Sequence, residues 1–198
     1  MPENVYETAF AMETSSIKFG AGVTREVGFE MASLGAKKTM VVTDQQMAVL
    51  QPVSIVMESL KAAGIDAVLF DQVSVEPTDV SFKQAIAFAV DGNFDGYVAV
   101  GGGSSIDTAK AANLYATYPA DFLTYVNAPI GKGELVPGRL KPLIAIPTTT
   151  GTGSETTGVA IFDLLEMKAK TGISHRSLRP IMGIVDPENT VTQPSMVT

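Results

Sequence analysis

Five short runs, residues 39–43, 67–70, 97–100, 143–146 and 181–185, are almost entirely apolar, and the first two intervals between them carry apolar residues every third or fourth position. Strands that are apolar on both faces are buried on both faces, which calls for a parallel sheet with helices above and below it. Val53, Val56, Met57 and Leu60 fall at i, i+3, i+4 and i+7, and Phe82, Ala85, Ile86, Ala89 and Val90 repeat that pattern. Each interval is therefore predicted to return as a helix packed on the sheet. The predicted class is α/β, a doubly wound, mostly parallel sheet.

The third run leads into GGGSSIDTAKAANLYAT, where Ala109, Ala112 and Ala116 line one face at i, i+3 and i+7 and allow a helix to lie close to the sheet. Pro119, Pro129, Gly131, Gly133, Pro137 and Gly138 make residues 117–141 an irregular excursion. Residues 158–162 and 170–174 flank a polar turn and are expected to pair as a hairpin appended to the sheet. A strand and helix segment is expected at 1–38, ahead of a core at 39–198. Pro194 stands where another helix would begin, so the chain is expected to be part of something longer.

Composition narrows the chemistry. Lys and Arg number 14 against 21 Asp and Glu, a formal net charge of −7, and no basic run occurs, which argues against a nucleic-acid partner. Without cysteine there is no thiolate metal site, disulfide or cysteine nucleophile, and with His175 as the single histidine no two-histidine metal site exists in this sequence. No stretch of 18 apolar residues is present, so no membrane partner is expected. The first 16 residues hold three glutamates and no Lys or Arg, unlike a secretory or transit peptide, and a cytoplasmic location is expected; a mitochondrial matrix protein whose presequence had been removed would look the same.

Gly101, Gly102, Gly103, Ser104 and Ser105 lie between an apolar run and an amphipathic one. Glycines allow close backbone approach, and the first N–H groups of a helix offer partial positive charge to a phosphate. A tight turn needs only one or two glycines, so anion binding is favoured. The G-x-G-x-x-G fingerprint is not met, because Ile106 takes the last glycine's place. Asp44, at the end of its run, suits either the hydroxyls of an adenosine ribose or the cap of the following helix. A second polar loop, PTTTGTGSE at 147–155, would emerge at the same sheet edge, although Thr152 and Glu155 also have capping-box spacing. Asp107 and Lys110 each suit a ligand, and Asp107, a carboxylate in a helix's first turn, equally suits the helix dipole. His175, beside Arg176 and Arg179, is expected to be exposed, and the methionines to be core filler.

Together, VVTD at 41–44, GGGSSIDTAK at 101–110, PTTTGTGSE at 147–155 and IVDPE at 184–188 resemble the group III, iron-dependent alcohol dehydrogenase family. EPTD at 76–79, KAANLYA at 110–116, APIGKG at 128–133 and GSETTGVAIFD at 153–163 are similar to one branch of it. Its members pass hydride from 4-hydroxybutyrate to 2-oxoglutarate through a nicotinamide that stays bound. The resemblance implies a Rossmann-like dinucleotide-binding domain over 1–198 and NAD as cofactor. Asp44 would meet the adenosine ribose, Gly101, Gly102, Gly103 and Ser104 the pyrophosphate, and Thr148, Thr149 and Thr152 the phosphate and nicotinamide end. Weaker roles are implied for Pro77 near the adenosine, Lys170 near the ribose and Asp107 near the nicotinamide pocket.

The family's iron, sometimes zinc, is held by one aspartate and three histidines in a helical C-terminal domain absent from this sequence. No metal ligand is expected here, and neither Asp186 nor His175 matches one. The expected partners are NAD and small hydroxyacid and oxoacid substrates, with the complete enzyme a homo-oligomer and the chain alone inactive. An NAD-linked alcohol or lactaldehyde dehydrogenase with an exchanging cofactor stays open, as does a noncatalytic nucleotide-binding module.

Overall fold

The computed structural model describes residues 14–191. The helix start expected at Pro194 and most of the acidic N-terminal stretch lie outside these residues.

The elements, in chain order, are β1 (Ser16–Phe19), α1 (Val27–Ser33), β2 (Lys38–Val42), α2 (Gln51–Ala62), β3 (Asp66–Phe70), α3 (Asp79–Gly92), β4 (Gly96–Gly101) and α4 (Gly103–Thr117). After the irregular excursion come β5 (Leu143–Pro147), β6 (Val159–Leu164), β7 (Ala169–Ser174) and β8 (Met182–Val185). Six strands form one sheet in the order β1-β8-β5-β4-β2-β3, every neighbouring pair parallel. The five apolar runs are five of its six strands.

The parity of each strand decides which face a side chain serves. Val41, Val98, Val100, Ile144 and Ile146 pack in one core against Val27 and Met31 of α1 and Val53, Val56 and Leu60 of α2. Met40, Val42, Tyr97, Ala99 and Ala145 pack in the other against Ala85 and Ala89 of α3 and Ile106, Ala109 and Ala112 of α4. Alanines meet across the α4 contact, so that helix sits close to the sheet, as its spacing predicts. Thr78 caps α3, its hydroxyl accepting from Ser81 N at 3.1 Å while Ser81 Oγ accepts from Thr78 N at 2.9 Å. This reciprocal cap stands just after Pro77.

The predicted hairpin forms with β6 and β7 antiparallel, but it is a separate two-stranded sheet and not an extension of the main one. Phe162, Ala160 and Ile173 bury against Phe82 of α3, Ala111 and Leu114 of α4, and Tyr125 and Val126 of the excursion. The apolar side of the hairpin thus covers the outward face of α4, which leaves that helix buried almost all round. Among the described residues, no helix is long and apolar enough to cross a membrane.

Candidate functional site

β2 has β3 on one side and β4 on the other, while the helices that follow β2 and β4 pack on opposite faces. Such a reversal opens a crevice at the carboxyl ends of the two strands, the place where open α/β sheets take ligands. Here that crevice is a cleft of about 300 Å³ lined by Asp44, Met47, Val73, Val75, Gly102, Ser104, Thr148 and Thr149. It continues into a groove of about 270 Å³ lined by Pro77, Gly103, Asp107, Thr152, Ser154 and Lys170. Of the predicted site residues, only Gly101 is absent from these two walls.

Gly101 shapes the turn instead. Its φ is +148°, and a Cβ there would sit 2.5 Å from Ser105 Oγ. Its carbonyl accepts from Thr148 N at 3.1 Å, which joins the loop after β5 to the loop after β4. Gly102 precedes α4 with ordinary extended backbone, φ −75°, and no side chain caps the helix. Ser105 N already donates to Gly102 O at 3.1 Å, which leaves the N–H groups of Gly103 and Ser104 at the helix start for an anion. A Cβ on Gly103 would lie 3.2 Å from Ser154 Oγ and Thr152 Cγ2, so this glycine lets the 147–155 loop settle against the glycine loop.

Ser104 Oγ donates to the carbonyl of Val75, tying in the loop after β3. The sequence offered no sign of that third loop beyond Pro77, because Val73 and Val75 belong to no periodic pattern. Asp44 Oδ1 accepts from Gln46 N and Met47 N, both at 2.9 Å. It caps the turn that follows β2 and lines the cleft at the same time. Thr152 Oγ1 accepts from Ser154 N at 3.3 Å in a turn, and no helix follows, so the capping-box spacing is not used as one.

Asp107 and Lys110 are buried and face the hairpin. Asp107 Oδ2 accepts from Ile161 N at 3.0 Å, and Lys110 Nζ donates to Val159 O at 2.7 Å and lies 3.3 Å from Asp107 Oδ1. Burial pushes the Asp107 carboxyl up and the Lys110 amine down, while their mutual attraction works the other way. Lys170 on β7 reaches Glu76 at 3.1 Å and Asp163 at 3.6 Å across the mouth of the groove. Its pKa is raised, chiefly by the hydrogen bond to Glu76.

His175 departs from expectation. It is half-buried, and its Nδ1 accepts from Ser177 N at 3.2 Å to cap a short 3₁₀ turn. Burial and the nearby charge of Arg176 lower its pKa. Among the described residues, no three His, Cys, Asp or Glu side chains come together in a way that would hold a metal ion.

Residues 14–187 match the iron-containing alcohol dehydrogenase family. The mouse protein named hydroxyacid-oxoacid transhydrogenase, mitochondrial, is 58% identical over 190 residues, 96% of this chain and 41% of the mouse protein. The fold superposes on a crystal structure of 1,3-propanediol oxidoreductase with a TM-score of 0.88 at 29% identity, covering 96% of this chain and 49% of that one. It also superposes on sulfoacetaldehyde reductase from Bifidobacterium kashiwanohense in complex with NAD+, with a TM-score of 0.83 at 25% identity, covering 96% and 49%. The chain therefore spans less than half the length of the mouse relative and about half of each solved structure. With the family match running through every strand of the sheet and every loop of the cleft, the chain belongs to the iron-containing alcohol dehydrogenase family.

Proposed function

We propose that this chain is a dinucleotide-binding domain that holds NAD, serving an enzyme that moves hydride between a small hydroxyacid and a small oxoacid. The observation that carries the reading is the convergence of three loops on one crevice, with an uncapped helix start and two close-packed glycines at its floor. A Cβ on Gly102 would come within 3.3 Å of Thr149 Oγ1, into the space a pyrophosphate would need. The residues fit the cofactor.

In this reading the N–H groups at the start of α4 meet the pyrophosphate, with Ser104 and the hydroxyls of Thr148, Thr149 and Thr152 around it. Asp44 accepts from the adenosine ribose and repels a 2′-phosphate, which favours NAD over NADP. Pro77 stands beside the adenosine and Lys170 near the ribose. Asp107 closes the far end of the groove near the nicotinamide. When bound, the nicotinamide supplies the hydride chemistry, and the chain's own work is to place the ring and exclude water on its side.

The identity of 58% to a transhydrogenase supports 4-hydroxybutyrate with 2-oxoglutarate as the substrate pair, giving succinic semialdehyde and 2-hydroxyglutarate. The word mitochondrial in the relatives' names supports the matrix over the cytoplasm. Among the described residues β1 is an edge strand, with Ile17 and Phe19 exposed, which supports assembly as a homo-oligomer. The described residues do not fit the family's iron. His175 Nδ1 and the Asp186 carboxylate are both engaged by backbone N–H groups.

Titration of the chain with NAD and NADP, followed by calorimetry, tests the binding reading. NAD is expected to bind in a one-to-one ratio and more tightly than NADP. No NAD binding by a folded chain would overturn it. Recycling of cofactor is tested on a protein of the relatives' full length. Turnover of 4-hydroxybutyrate plus 2-oxoglutarate without added NAD supports the transhydrogenase, and a strict need for added NAD supports an alcohol dehydrogenase.

A further inference from the structure

A second cavity, of about 450 Å³, lies on the opposite edge of the sheet. Its floor is the approach to β5 and β8, with Pro142, Leu143 and Ile181, and α1 ends beside it at Leu34. Leu143 opens β5 while Thr148 follows its end, so the two sites are separated by the length of a strand, about 16 Å at about 3.3 Å per residue. Nothing in the proposed NAD site reaches this cavity.

Its charge is the unusual feature. Arg139, Lys141, Arg176 and Arg179 all line it and, among the described residues, no Asp or Glu does, in a chain that carries 14 cations against 21 anions. These cations come from two segments far apart in sequence, the end of the excursion and the turn after β7. The fold holds both in place. Lys141 donates to the carbonyl of Phe94, Asn113 Nδ2 donates to the carbonyl of Lys141 at 2.8 Å, and the turn at Arg176 is capped by His175. Asp95 lies on the same sheet edge, but its carboxylate accepts from the N–H groups of Lys37 and Lys38. Arg139 and Arg176 make no salt bridge among the described residues. Like charges gathered in a concave site focus potential and repel one another, and an anion relieves both.

We propose that this cavity binds a small multivalent oxyanion, a phosphate ester or a dicarboxylate, held by the guanidinium groups of Arg139 and Arg176. The planar guanidinium pairs with both kinds of anion through two parallel hydrogen bonds. Leu34, Leu140 and Ile181 supply an apolar wall for a short carbon chain between or behind the charged ends.

The test is a titration of the isotope-labelled chain with inorganic phosphate and, separately, with succinate, read by amide NMR against sodium chloride at equal ionic strength. The expected result is a saturable shift at Leu140, Leu143, Ser177 and Ile181 with one or both anions, weakened at least tenfold in Arg139→Gln/Arg176→Gln. Gly102→Val should leave that shift unchanged, which separates it from any anion at the start of α4. Saturation by phosphate alone identifies a phosphate ester, and saturation by succinate alone identifies a dicarboxylate. Shifts that chloride reproduces, or that survive in the double variant, would overturn the proposal. A double variant with an unchanged amide spectrum elsewhere shows that the fold has not been lost.

Discussion

Thr24 and Asp186, 162 residues apart, are joined twice: Asp186 Oδ2 accepts from Thr24 N at 3.0 Å and from Thr24 Oγ1 at 2.8 Å. Oδ1 of the same carboxylate accepts from Gly22 N at 2.9 Å and from Glu188 N at 3.0 Å. A buried carboxylate with four donors stitches the segment after β1 to the end of β8. The Thr24 hydroxyl also accepts from Asn189 Nδ2 at 2.9 Å, which extends the knot by one more strong contact.

Asp186→Ala is expected to destabilise the chain by about 2–4 kcal/mol, since it leaves buried donors unpaired, and Asp186→Asn by less. The hydrogen bonds to Thr24, Gly22 and Glu188 hold the carboxyl below its ordinary value of 3.8 although burial opposes them. A carboxylate depressed in the folded state stabilises above its unfolded pKa. That contribution is lost as pH falls below about 4 and through the lower folded value. Denaturant melts of wild type and Asp186→Asn should converge toward low pH; a gap that is constant with pH would contradict this.

Lys110 and Asp107 are expected to behave as one unit. Lys110→Met leaves a buried carboxylate without its partner and should cost about 3–5 kcal/mol. Adding Asp107→Leu should cost clearly less than the sum of the two single changes. A double-mutant cycle by chemical denaturation measures the difference, and additive losses would show that the pair is not coupled.

Neighbouring glycines should separate folding from binding. Gly102 has a φ any residue adopts, so Gly102→Val is expected to keep the circular dichroism spectrum and lose NAD binding by tenfold or more. Gly101, at φ +148° and close to Ser105, has no such freedom, and Gly101→Val should lower the melting temperature itself. Equal loss of fold in both would mean that the loop is only a turn.

Asp44 both caps and lines the cleft, so its charge and its cap are best tested apart. Asp44→Asn keeps an oxygen for Gln46 N and Met47 N but removes the charge that, in the proposed reading, would face a 2′-phosphate. Its preference for NAD over NADP should fall by about tenfold, roughly 1.4 kcal/mol, with little change in stability. An unchanged preference in paired titrations would remove Asp44 from cofactor selection.

Most of the sheet was legible in the sequence because its signals are local. Short apolar runs mark strands buried on both faces, i, i+3, i+4 spacing marks α2 and α3, and three glycines before a helix mark the turn after β4. The alanines at 109 and 112 even foretold how closely α4 packs. Tertiary structure alone decided the rest, through contacts between residues far apart in the chain that leave no periodic trace. It set the hairpin on α4 instead of on the sheet edge, because Phe162 and Ile173 find their apolar partners there. It turned His175 from an expected surface residue into a half-buried cap, buried the Asp107–Lys110 pair beneath β6, and gave Asp186 its four donors. It also brought Arg139 and Arg176 to one cavity, since only the folded chain places residues 139–141 beside 176–181.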